Sequence, residues 1–190
     1  MTLAVAAGAE EPLRHSPYLK GQFLIANPTM PDPRFRETVI YMANHDSRGA
    51  FGLVVNHKLG RGPLKDLLAD AGIEAADKAV GEVDIYVGGP VSPQQVFILH
   101  RSDWTGPETD RLAEDLFLTT TPDILEAMAK GEGPGEFRII IGYSGWGPGQ
   151  LEKEMGRGDW ITAPGDAALV FDTENATKWP RASRKGGLGL

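Results

Sequence analysis

Apolar residues along this chain fall into short runs cut by glycine and proline rather than into long amphipathic stripes. "FLIAN", from Phe23 to Asn27, is the first, and "PTMPDP" stops it, because three prolines in six residues forbid regular structure. "TVIYMA" and "GAFGLVVN" follow, rich in β-branched and aromatic residues and joined by "NHDSRG", which predicts a β-hairpin with His45 in its loop. "VDIYVGGPV" and "QVFILH" predict two more strands around "SPQ", "LFLTT" a short one, "EFRIIIGYS" the most strongly buried one, and "AALVFD" a last one.

Helical periodicity is confined to brief segments. In "GPLKDLLADAG", Leu64, Leu67, Leu68 and Ala71 share a face, Pro63 suits the first turn and Gly72 the end. "TPDILEAMAKG" has Thr121 placed to cap, Pro122 at N1 and Gly131 at C′. "GQLEKEMG" reads as a short acidic helix, and "TENATKW" begins a last one that Pro180 limits or kinks. About eight strands and three or four helices in mixed order make an α+β domain, its mixed, largely antiparallel sheet partly covered by helices.

At 190 residues one domain is the default. Residues 1–17 are expected to be a disordered leader, 18–183 the folded domain and 184–190 a flexible tail. The Ala-rich start lacks the basic n-region of a secretory signal, and no run of 18 apolar residues predicts a membrane span. Twenty-four glycines are about twice the usual share and point to many sharp turns and close backbone contacts. The chain has no cysteine, which excludes disulfides, thiolate catalysis and zinc–thiolate sites and suits a cytoplasmic setting. Its formal net charge of −7 offers no cationic stripe for DNA, so direct DNA binding is not expected.

"GYSGWGPGQLEKEM" is the segment with most latent chemistry. Gly142, Tyr143 and Ser144 begin a nucleophile-elbow pattern, but the second glycine comes one place early and Trp146 stands where a tiny residue is needed. No Lys-Ser/Thr pair completes a P-loop, and Gln150 stands where a dinucleotide fingerprint needs its last glycine. A structural corner with Trp146 over the core is the better reading. His45 and His57 lie on opposite parts of the expected hairpin, about 20 Å apart at ~3.3 Å per residue, so no shared metal is expected. His100 at a strand end reads as a hydrogen-bonded structural residue, and Asp32 in its proline turn as the acceptor of an Asx-type bond. Neither a metal nor a cofactor is implied.

Taken in order, "LKGQFLIANPTMPDPRFRETVIYMANHDSRGAFGLVVN", "YVGGPVSPQQVFILH", "LTTTPDILEAMAKG", "GYSGWGPGQLEKEM" and "GDWITAP" resemble the blocks of the YqgE/AlgH family over roughly residues 19 to 180. The resemblance implies a bifurcated sheet, partly rolled into a barrel, with surrounding helices. It brings a provisional transcriptional-regulator label, from a genetic association with alginate production, and no agreed biochemical activity. Asp32, His45, Gly52, Asn56, Gly88, Gly89, Pro90, His100, Gly142, Trp146, Gln150 and Glu152 occupy positions of those blocks, without a catalytic role. The chain departs from them in "NHKLG" and in its glycine-rich C-terminus.

Two functional expectations follow. One is a cytoplasmic, non-enzymatic regulatory or interaction protein with an unidentified protein or small-molecule partner and no membrane. The alternative is an enzyme or small-ligand binder whose cleft is formed by the "NPTMPDP", "GGPV" and "GYSGW" loops, with Asp32, His45, Gly88, Gly89, His100, Ser144, Trp146 and Gln150 as candidate residues. Convergence of those loops on one cleft, with His45 or His100 beside a carboxylate, would favour the alternative.

Overall fold

The computed structural model describes residues 18–74 and 76–189. The expected leader lies outside the described residues. Among the described residues ten strands form one branched, open sheet: β1 (Gln22–Ala26), β2 (Val39–Asp46), β3 (Gly49–Val54), β4 (Lys58–Pro63), β5 (Glu82–Val87), β6 (Val91–His100), β7 (Asp110–Ala113), β8 (Leu116–Thr119), β9 (Phe137–Trp146) and β10 (Trp160–Pro164). The α-helices described flank it: α1 (Leu64–Asp70), α2 (Pro122–Ala129), α3 (Gln150–Gly156), α4 (Ala167–Phe171) and α5 (Asn175–Lys185).

The main path runs β10-β1-β2-β3-β9-β6-β8-β7, and the branch is at β9. Ile139–Ile141 pair in parallel with β5, whereas Ser144–Trp146 pair antiparallel with β3. Two strands thus share one edge of β9, and the chain must change partner between them. Gly142 sits at the change, at φ 67°. The Gly88 N–H donates to the Ile141 carbonyl at 2.8 Å, and the Gly88 carbonyl accepts from the Val54 N–H at 3.0 Å. Gly88 therefore closes the fork by bonding to both arms. A Cβ on Gly88 or Gly89 would come under 3.0 Å of β9 backbone, so the "GGP" and "GYSG" glycines are where two backbones cross.

Burial on both faces explains the unbroken apolar runs, since successive strand residues point to opposite sides. In β1 to β3, Phe23, Ile25, Tyr41 and Leu53 join a central core with Leu169, Val170 and Phe171 of α4. Leu24, Ile40, Met42 and Val54 face the other way, onto Trp146, Leu151 and Trp160. In β6 and β9, Ile98 and Ile139 face a third cluster built on α1 and α2.

Several expectations need correction. "AALVFD" is helix α4, not a strand, because the Asp166 side chain accepts the Ala168 N–H at 2.9 Å and caps a turn. "VDIYVGGPV" and "QVFILH" do hold two strands, β5 and β6, but the break falls at "GGP" rather than "SPQ": β6 takes in Val91–Gln94, with a register shift between Val91 and Val96. His45 is a strand residue, since β2 continues to Asp46. Thr121 stands at the N-cap of α2 without making a side-chain cap bond. Pro180 does not limit the last helix but lies inside α5, which continues to Lys185.

Candidate functional site

Three of the loops marked in the sequence meet at the end of β9 beside α3. They enclose a cleft of about 270 Å³, walled by Met30, Pro31 and Asp32 of the first loop, Pro90 of the second, Gly145 and Trp146 of the third, and Gln150 and Glu154 of α3. Phe35, Trp160 and the arginines Arg34 and Arg157 complete the wall with Asp159.

Local chemistry fixes each wall. Asp32 caps the 3-10 turn Pro33–Phe35: its Oδ1 accepts the Arg34 N–H at 3.0 Å, the Asx bond the proline turn predicts. Its carboxylate also takes the Arg34 guanidinium at 2.6 Å, and that bond holds its pKa below the usual range. Trp146 and Trp160 are almost fully buried, edge to face with centroids 6.0 Å apart. One oxygen of Glu154 accepts both indole N–H groups, at 2.8 Å from Trp146 and 2.9 Å from Trp160. Its other oxygen accepts the Gln150 amide at 3.0 Å, one helical turn away. Gln150 in turn accepts the Gly147 N–H at 3.2 Å, tying α3 to the glycine turn before it. Gly149, at φ 70°, makes that turn.

Asp32, Trp146 and Gln150 of the sequence candidates therefore share one cleft. Gly88, Gly89 and Ser144 lie behind it at the fork. The Ser144 hydroxyl is buried and donates to the Gly88 carbonyl at 3.0 Å. Among the described residues no base is bonded to it, and the elbow-like pattern is a backbone crossing. His45 sits outside the lining. Its Nδ1 accepts the Leu19 N–H at 3.0 Å, which leaves Nε2 to donate to Glu152 at 3.1 Å. Glu152 is held below its usual pKa first by its own backbone N–H and then by this histidine. His100 is far along β6, fully buried, with Nδ1 bonded to the Arg101 carbonyl at 2.8 Å and Nε2 to Thr119 at 2.9 Å. Desolvation lowers its pKa, against the Arg101 carbonyl and Asp103, which raise it.

Sequence reasoning missed Glu154, Trp160, Arg34, Arg157 and Asp159. Glu154 is eight residues from one tryptophan and six from the other, and no local spacing rule links such partners. A larger open groove of about 730 Å³ adjoins the cleft across Gly145 and Trp146. Its floor is a ring cluster of Phe51, Phe97 and Tyr143, with Phe51 and Tyr143 centroids 5.1 Å apart. Among the described residues no group of three or more His, Cys, Asp or Glu is placed to hold a metal ion. No helix among them is long and apolar enough to cross a membrane.

A family model described as AlgH-like matches residues 23–190. A UPF0301 protein of Methylococcus capsulatus is 46% identical over 170 residues, covering 90% of this chain and 92% of its own. One from Paracoccus denitrificans is 42% identical, covering 90% of each chain. The solution structure of the AlgH protein from Pseudomonas aeruginosa superposes with a TM-score of 0.76 at 37% identity over 95% of both chains. A Corynebacterium diphtheriae protein shares the fold, with a TM-score of 0.68 at 22% identity over 94% of this chain and 89% of that one.

Proposed function

This chain belongs to the AlgH-like family, and we propose that it is a cytoplasmic, non-enzymatic interaction protein that captures a small ligand in the cleft beside Trp146. The observation that carries the reading is the convergence of Pro31–Asp32, Pro90 and Gly145–Trp146 on one concave site. These segments are distant in sequence. Concave sites with aromatic walls and a few fixed polar groups are where small molecules bind.

The arrangement of the reactive side chains supports binding over catalysis. Ser144 is bonded to a backbone carbonyl, and His100 is held by a carbonyl and a threonine. His45 has both nitrogens bonded and stands outside the cleft wall. A regulatory role follows if the ligand state is read by a partner, and the acidic chain argues against reading DNA directly.

A small-molecule fragment library added to ¹⁵N-labelled protein tests this. The expected result is that binders move the amide signals of Trp146, Gln150 and Asp159. Binders that move only signals elsewhere, or a turnover abolished by His100→Ala or Ser144→Ala in folded protein, would retire the proposal.

A further inference from the structure

The charges around the cleft are arranged inside out. Its wall holds three carboxylates, Asp32, Glu154 and Asp159, and two guanidinium groups, Arg34 and Arg157. The acids lie deeper. The side chains of Asp32 and Asp159 are 32% and 12% exposed, against 67% and 59% for the arginines that pair with them. The arginines stand two positions away in the chain and are the more exposed partners, so solvent screens them more than it does the carboxylates.

Glu154, half-buried, is the carboxylate of this wall that no guanidinium pairs among the described residues. A carboxylate offers about four acceptor positions. Two indole N–H groups and one amide fill three of them, and all three donors are neutral. No cationic side chain pairs with it among the described residues. Glu154 is half-buried without a counterion, and the two indole donors hold its carboxylate in place. Around it stand Trp146, Trp160 and Phe35, with Phe35 and Trp160 centroids 5.5 Å apart. Rings of this kind, negative on their faces, are what organic cations select. The rim already holds one such contact: the Arg34 guanidinium lies 5.9 Å above the Phe35 ring while bonded to Asp32.

We propose that the cleft binds an organic cation whose ammonium or guanidinium head is received by Glu154 and bordered by Trp146, Trp160 and Phe35. This rests on the cleft being the binding site and specifies the ligand's chemical class. The head group enters over Pro31 and Pro90, and its uncharged remainder lies toward the open groove across Gly145. Asp32 and Asp159 supply negative potential at the mouth.

The two indole N–H signals report on the site directly, because both protons point at Glu154. Tetramethylammonium chloride and methylguanidinium chloride are titrated into ¹⁵N-labelled protein at constant ionic strength, with sodium propionate as the anionic control. The expected result is a saturable shift of both indole signals with a cation and none with propionate; the tighter cation identifies the head group. Glu154→Gln keeps an oxygen for both indoles but removes the charge, and is expected to weaken cation binding at least about tenfold while the spectrum stays folded. Asp159→Asn, at the mouth, is expected to weaken it about threefold and stands in if Glu154→Gln does not fold. Cations that leave the indole signals unmoved, or bind the neutral variants as tightly, overturn the assignment. Saturable binding of propionate at the indoles overturns the cation class and leaves the cleft standing. Silence from every probe, together with no cleft binder in the fragment library, removes both.

Discussion

Gly89→Ala tests the crossing that builds the fork and, through it, the wall of the cleft. Gly89 has φ 151°, where side chains are strained, and a Cβ there would fall under 3.0 Å from the Tyr143 carbonyl and the Ser144 nitrogen. These are backbone atoms of a central strand. Tyr143 is paired with Val91 on one side and Ser144 with Gly52 on the other, so neither can retreat without breaking a ladder. Overpacking a tight site costs about 1–3 kcal/mol, and the strained backbone adds about 1–3 kcal/mol. Together they take about 2–6 kcal/mol from a total that for a domain is about 5–15 kcal/mol. Gly158→Ala is the internal control. It also has positive φ, 79°, but a Cβ there meets nothing within 4 Å, so strain alone should cost about 1–2 kcal/mol. Urea unfolding of both variants, at matched m-values, measures the difference. A Gly89→Ala protein within about 1 kcal/mol of wild type, or no worse than Gly158→Ala, would refute the close crossing.

Trp146→Ala should lose about 3–5 kcal/mol, as truncation of a buried tryptophan does, whereas Ser144→Ala should lose only about 0.5–1.5 kcal/mol because the Gly88 carbonyl keeps its bond from Val54; chemical melts showing the reverse order would contradict the packing. Lys178 should make stability rise with pH. It is fully buried, donates to the Val55 and Val170 carbonyls at 2.8 and 3.0 Å, and burial depresses its pKa to about 7, with Arg138 and Arg181 adding to that and Asp172 opposing it. A neutral amine has two N–H groups for those two acceptors. Between that folded value and the unfolded value near 10.5 the unfolded chain binds the extra proton, so stability climbs by up to about 1.4 kcal/mol per pH unit and is flat below. Lys178→Met should abolish that slope between pH 7 and 9.5, and a slope that survives would place it elsewhere. EDTA should leave the thermal midpoint unchanged, and a drop of several degrees would expose a structural metal.

How far the sequence could be read depended on whether the signal was local. β1, β2 and β3 were legible because both faces are buried and their apolar runs are continuous. β4 and β7 were not, because "KLGRGP" and "DRLA" are largely exposed edge segments held by pairing rather than by apolar pattern. "AALVFD" misled because a short apolar run, buried at Leu169, Val170 and Phe171, fits a strand or a helix equally, and the Asp166 cap decides it. The three loops of the cleft stood out for their glycines and prolines. Glu154 did not, because its meaning depends on two tryptophans that meet only when β9, α3 and β10 pack. Gly145 shows the same limit among glycines: it has no positive φ, and a Cβ there would meet side chains, the Tyr143 ring and Val91, so the strained position is Gly142 three residues earlier.

The most direct test of the central claim is a crystal structure of the protein with a ligand recovered from the fragment library. Density bounded by Pro31, Pro90, Trp146 and Gln150, in contact with Glu154, is the expected result. Density confined to the open groove over Phe51, Phe97 and Tyr143, with the cleft unchanged, would contradict it.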